Sequence, residues 1–209
     1  MKKYFVLCIL LASFHINAAM ISLVPSTSHL NVGDSFILNV FISQLAPNGS
    51  PSLAGFDLNI HFENSLLLID STDLDTDGVF DSIVIDPDSE LDITGLDLNF
   101  FSTEMLSASV LRIFEGSLDL PSDLDTFQSS SFKLAEIHMS ALQSGISDIF
   151  ITINGLVDAN GNALEFTTES TQIIVNGIPV PAPTLGLVFA IIAASLLRRH
   201  KRRSHLFML

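Results

Sequence analysis

The 209-residue chain has one cysteine, one tyrosine and no tryptophan, and only nine of its residues are lysine or arginine. The cysteine is Cys8 and the tyrosine is Tyr4, so nothing after residue 8 carries a thiol. The body of the chain is therefore neither a disulfide scaffold nor a thiolate metal centre. It also lacks the exposed Trp or Tyr on which sugar rings usually stack. The twelve phenylalanines of residues 20–183 fall mostly at alternating positions that a core would claim. Basic side chains are scarcer in the middle of the chain than the total implies. Lys2, Lys3 and the five basic residues of 198–203 take most of them, which leaves residues 20–183 with only Arg112 and Lys133. Against these two stand all 23 acids, a formal charge of −21. Such a surface repels nucleic acid and anionic lipid and excludes a nucleic-acid partner. It suits a salty medium and attracts divalent cations.

Catalytic signatures are missing as well. There is no Gly-x-Ser-x-Gly elbow, no phosphate loop and no dinucleotide fingerprint. His29, His61 and His138 share no close ligand spacing, which argues against zinc. The chain does not read as an enzyme.

What is present begins at the two ends. Lys2 and Lys3 precede an apolar run over 4–14 and the small residues Ala18 and Ala19, the pattern of a secretory signal peptide over 1–19. At the other end Val180, Pro181, Ala182 and Pro183 lead into an uncharged apolar stretch, 184–197, closed by Arg198, Arg199, Lys201, Arg202 and Arg203. That order reads as a membrane segment held by cytoplasmic positive charge. At 1.5 Å per residue the stretch spans about 21 Å, short of the ~30 Å hydrocarbon core, so it is a marginal spanner. The residues leave two readings open, a plain single-pass anchor and a processing signal. The order Val-Pro-x-Pro, apolar helix, Arg-rich end resembles the PEP-CTERM sorting signal of exported proteins. That resemblance implies recognition by an exosortase and loss of the tail. Ala182 stands where that family usually has glutamate, and residues 204–209 extend beyond the basic cluster, where it usually stops.

Between the ends the pattern is of short strands. Residues 53–62 alternate Phe56, Leu58, Ile60 and Phe62 with Asp57, Asn59 and His61, which predicts a strand with one buried and one wet face. Strands are expected also over 21–24, 35–42, 66–69, 91–101, 108–114, 132–139, 148–153 and 167–175. A turn is expected over 31–34, an acidic insertion over 70–90, a long polar loop over 117–131 and a hairpin turn centred on Asn160 and Gly161. About nine strands without a long helix predict an all-β, antiparallel, jelly-roll-like sandwich. The segments Val32-Gly33-Asp34, 53–58, 131–135 and 156–162 resemble cohesin-like modules in their order. That resemblance implies a non-catalytic sandwich that binds a partner. The expected organisation is a signal peptide (1–19), a cohesin-like sandwich (20–176), a Pro-rich linker with the sorting motif (177–183), a transmembrane helix with its basic cluster (184–203) and a short tail (204–209).

Asp73, Asp75, Asp77 and Asp81, with Gly78 at the sixth place, match the spacing of a calcium loop. Position twelve is Val84, where a bidentate glutamate belongs, so Asp86 or Asp88 would have to compensate. A solvated acidic loop is the other reading. Asp158, Asn160 and Asn162 form a second oxygen cluster that reads either as a metal site or as a hairpin turn. Together these features predict an exported, non-catalytic protein of the cell surface or extracellular polysaccharide matrix. It would be held by a single pass in the inner membrane, with a cytoplasmic C-terminus, until exosortase processing. The alternative is a carbohydrate- or protein-binding module permanently anchored by that helix.

Overall fold

The computed structural model describes residues 18–46, 49–96 and 98–177. Most of the expected signal peptide, the sorting motif, the apolar helix, its basic cluster and the tail 204–209 lie outside the described residues. Among those residues no helix is long and apolar enough to cross a membrane.

The elements in chain order are β1 (Ala19–Pro25), β2 (His29–Asn31), β3 (Ser35–Ser43), β4 (Leu53–His61), β5 (Leu67–Ile69), β6 (Ile83–Ile85), β7 (Phe100–Ser107), β8 (Val110–Gly116), α1 (Pro121–Phe127), β9 (Phe132–Ala141), β10 (Gly145–Asp158), β11 (Phe166–Glu169) and β12 (Thr171–Asn176). They form two sheets. The first runs β11-β1-β3-β9-β5, with β6 also paired to β9, and the second runs β2-β12-β10-β4-β8-β7.

Period-two sequence explains both faces. In β3, Phe36, Leu38, Val40 and Ile42 are buried while Asn39 and Phe41 point away from the core. In β4, Phe56, Leu58 and Ile60 are buried while Asp57, Asn59 and His61 point away. Ile21, Leu38 and Ile42 of the first sheet and Leu58, Ile60 and Ile113 of the second are wholly removed from water. Each such side chain contributes roughly 1.5–3 kcal/mol over its exposed state.

One polar side chain closes the open end of the sandwich. Gln128, just after α1, is buried. Its Oε1 accepts from the Leu53 amide at 2.6 Å, and its Nε2 donates to the carbonyls of Leu53 at 2.8 Å and Glu90 at 2.9 Å. Gln128 thus acts as a short piece of strand at the start of β4, and Leu124 is the buried residue of α1.

The structure corrects the sequence expectations in several places. There are twelve strands among the described residues, not about nine, because three-residue strands carry too little pattern to be read. The sandwich is not wholly antiparallel, since β1 pairs β11 and β2 pairs β12 in parallel. The expected strand 167–175 breaks at Ser170, and its halves join different sheets. The acidic insertion contains β6, and the polar loop contains α1, whose first turn carries a proline and Asp123. Residues 91–99 are not a strand. Gly95 takes φ +64° there, and Leu96 and Leu98 are exposed. The expected strand 148–153 extends over all of β10.

Replacing Gln128 with Ala strands three buried or half-buried backbone groups. The expected loss is about 3 kcal/mol of stability, seen in urea as a lower midpoint with an unchanged slope. A loss under about 0.5 kcal/mol would mean that water replaces the amide and that Gln128 does not pin the sheet.

Candidate functional site

The acidic loop lies between β5 and β6. One carboxylate oxygen from each of Asp73, Asp75 and Asp81 comes within 4.8 Å of the others. Gly78, at φ +91°, makes the tight turn that the spacing demands, and its amide donates to Asp73 Oδ2 at 3.2 Å. The other oxygen, Asp73 Oδ1, is buried with no hydrogen-bond partner. The fourth expected ligand does not join. Asp77 Oδ1 instead accepts from the Val79 amide at 2.8 Å.

Neither residue that was expected to compensate for Val84 reaches the cluster. Asp86 is buried and accepts from the amides of Glu90 and Leu91 at 2.9 and 2.8 Å. Asp88 accepts from the Lys133 amide at 2.9 Å. The loop nevertheless bonds to the edge of the second sheet. The Thr103 amide of β7 donates to Gly78 O at 2.9 Å, and Thr103 Oγ1 accepts from the Phe80 amide at 2.8 Å.

The second oxygen cluster is a turn. Asp158 Oδ1 accepts from the amides of Asn160 at 2.9 Å and Asn162 at 2.8 Å, and Gly161 takes φ +80°. Burial alone would raise the Asp158 carboxyl. Hydrogen bonds from Asn162 and from the turn amides outweigh it and hold the group below its ordinary value. The three histidines stay apart. His29 and His138 are exposed on different sheets, and His61 is on β4.

The outer face of β10, β4, β8 and β7 carries the densest arrangement of side chains. Arg112 grips Asp57 with two bonds, Nε to Oδ1 at 2.9 Å and Nη2 to Oδ2 at 2.7 Å. Asn154, the extra residue of a bulge in β10, donates to Asp57 Oδ1 at 3.0 Å and to Asn59 Oδ1 at 3.1 Å. The hydrogen bond from Arg112 pulls the Asp57 carboxyl below its ordinary value. Burial opposes this, and Asn154 adds to it. One row along, His61 Nε2 lies 2.9 Å from Thr152 Oγ1, and its ring stacks on Phe150 at 4.5 Å between centroids. At the other end of the face lies a groove of about 380 Å³ over Gly55, Gly116 and Gly155, lined also by Phe114 and Val157. A Cβ on Gly55 would meet Glu115 O at 3.1 Å, so a side chain there would crowd the backbone of β8 under the groove.

The sequence marks Asp57, Asn59 and His61 as a wet face, and Arg112 as one of two bases. It does not show that they meet. That depends on register, which sets Asn59 beside Arg112 across β4 and β8 and beside Thr152 across β4 and β10.

No protein-family profile and no curated protein matches the chain. Solved structures match it in fold. A type I cohesin of Clostridium thermocellum, in a cohesin–dockerin complex, aligns over 77% of this chain and 100% of its own at 12% identity, with a TM-score of 0.56. A cohesin module from a family 33 glycoside hydrolase of Clostridium perfringens aligns over 78% and 99% at 12% identity, with a TM-score of 0.55. A non-cellulosomal cohesin of the archaeon Archaeoglobus fulgidus aligns over 76% and 91% at 10% identity, with a TM-score of 0.53. At such identities the likeness concerns architecture alone. The described residues have the β-sandwich fold of cohesin modules.

Proposed function

We propose that the sandwich is a non-catalytic module that binds a protein partner through the outer face of β10, β4, β8 and β7. The observation that carries this reading is the Arg112–Asp57–Asn154–Asn59 network. Its side chains are already locked to one another, so they lose little rotamer freedom when a partner docks. A groove and the half-exposed ring of Phe150 flank the network and offer apolar contact beside polar specificity. The clostridial cohesin that shares the fold was solved with a dockerin bound, which supports a protein partner over a glycan. So does the stacking of His61 on Phe150, which takes up one face of that ring.

Two finer readings accompany this one. The tail 177–203 is a PEP-CTERM-type sorting signal on an exported protein, which an exosortase would process. The acidic loop holds calcium through Asp73, Asp75 and Asp81, a reading supported by the buried, donor-free Asp73 Oδ1. Calcium takes six to eight oxygens, so backbone carbonyls or water would complete the shell.

The partner face is tested with the full-length chain, immobilised in detergent and exposed to the surface and secreted proteins of its host. Phe114→Ala and Phe150→Ala are each expected to weaken capture about tenfold. Ser140→Arg, on the outer face of the first sheet, should leave capture unchanged. Equal capture by all variants, or capture of polysaccharide alone, rejects the face.

Calcium is expected to raise Tm above its value in chelator at matched ionic strength, and Asp75→Asn should abolish the rise. Equal melting with and without calcium removes the metal reading. For the tail, the intact mass of the protein from its host should end near 181–183. A mass that includes Leu209 makes the tail an ordinary anchor.

A further inference from the structure

Three strand positions of the proposed partner face are glycines: Gly55 in β4, Gly116 in β8 and Gly155 in β10. Glycine weakens a strand because it brings no side chain to pack, so each one calls for a reason. Gly55 has a reason inside the fold, the nearness of Glu115 O. Gly116 and Gly155 have none there. Neither takes a positive φ. A Cβ on Gly116 would meet only Phe114 Cζ, at 3.7 Å, and one on Gly155 only Asp57 Cβ, at 3.9 Å. Both are ordinary contact distances, so alanine would fit. A strand glycine that its own fold does not require marks a place where something approaches from outside.

Register brings the three together. Phe100, Gly116, Gly55 and Val157 form one row across β7, β8, β4 and β10. The neighbouring row is Ser102, Phe114, Asp57 and Gly155. Strands lie about 4.8 Å apart, so Phe100 and Val157 stand roughly 14 Å from one another, and the two positions between them carry no side chain. This bare stretch is the groove of about 380 Å³, with Phe114 beside Gly116 as one wall and Val157 as another. The acids at its margin are already committed. Asp57 accepts from Arg112 and Asn154, and Asp158 from the amides of its own turn. The groove therefore selects by shape and apolar contact.

Charge narrows the choice of occupant. Residues 20–183 carry 23 acids and two bases. Both bases are held in ion pairs, Arg112 by Asp57 and Glu104, and Lys133 by Glu136 and Asp88. An acidic partner would be repelled. A partner with lysine or arginine around its apolar contact is drawn in by the field of the whole domain.

We propose that the glycine-floored groove seats one large apolar side chain of a basic protein partner, inserted between Phe114 and Val157. The inference rests on the partner-face reading and adds to it the anchor point and the chemistry of the partner. Gly116 and Gly155 are then specificity-determining positions, kept bare for the inserted side chain.

The test uses the full-length chain in phosphatidylcholine nanodiscs and random short peptides displayed on phage, with empty nanodiscs used to remove lipid binders. Enriched peptides should share a large apolar residue within a few positions of lysine or arginine, and their binding should weaken as salt is raised. Gly116→Ala and Gly155→Ala should each weaken that binding about tenfold, as expected when a central pocket is filled. Both variants should melt no lower than the wild type, which separates a filled groove from a damaged fold. Ser140→Ala, on the outer face of the first sheet, should bind as the wild type does.

Enriched peptides that are acidic or wholly polar overturn the proposal, and so does undiminished binding by both glycine variants. Capture of a host protein that Phe150→Ala weakens but neither glycine variant does removes the groove anchor and leaves the partner face standing. Peptide binding lost in the glycine variants, together with host capture indifferent to Phe150→Ala, supports the groove and rejects the wider face.

Discussion

A carboxylate taken out of water needs a donor, a cation or a proton, and this domain has almost no cations to give. That constraint explains more of the structure than any single packing contact does. Asp158 and Asp86 are satisfied by backbone amides, and each thereby shapes a turn. Asp57 receives one of the two bases of residues 20–183, and the pair organises the outer face of the second sheet. Asp73 and Glu115 are each left with one buried oxygen that nothing in the described protein satisfies. The first of these oxygens belongs to the cluster for which calcium is proposed.

The same constraint distinguishes the acid clusters from one another. A spacing of alternate aspartates looks alike on paper wherever it occurs, but backbone amides compete for the oxygens. At Asp158 the amides of Asn160 and Asn162 take the inward oxygen, and the loop becomes a hairpin turn. In the acidic loop the Gly78 amide goes to Asp73 and the Leu74 amide to Asp81, and oxygens of three carboxylates still lie close to one another. Like charges so close repel, and the cost rises as water is excluded. Two amides gathered on one carboxylate make a turn, whereas one amide to each of two carboxylates leaves oxygens close together as a candidate cation site.

Much of the sandwich was legible because burial on one face imposes period two. The strands β3, β4, β8 and β9 alternate this way, and the Asn160–Gly161 turn is marked instead by its Asn-Gly pair. The misreadings have equally physical causes. Leu96, Leu98 and Phe100 alternate like a strand, yet Asp86 captures the Leu91 amide and Gly95 takes a positive φ, so the pattern reaches a sheet only at Phe100, where β7 begins. The helix α1 escaped notice because only Leu124 of its residues is buried, which leaves no apolar stripe to read. Three of the four spaced aspartates converge as the motif implied. The Arg112 network and the pairing of Gln128 with Leu53 were not visible, because each joins residues more than 50 positions apart in the chain. Register across strands decides such meetings, and no local pattern encodes it.

Placement of the acids also bears on one edge of the second sheet. The acidic loop bonds to the middle of β7 through Gly78 and Thr103, while Glu115 holds Asn99 just before that strand begins. An edge strand has hydrogen-bonded neighbours on one side only, so its position is the least determined in its sheet. Here β7 is tied to the acidic loop, which carries Asp73, and the residue before it is tied to Glu115 of β8, and Asp73 and Glu115 each have one oxygen that lacks a partner. By contrast, β4 and β10 are flanked by strands on both sides. The least constrained margin of the proposed partner face is therefore its β7 side, and the Asp57–Asn59–Asn154 row, on strands paired on both sides, is the most constrained.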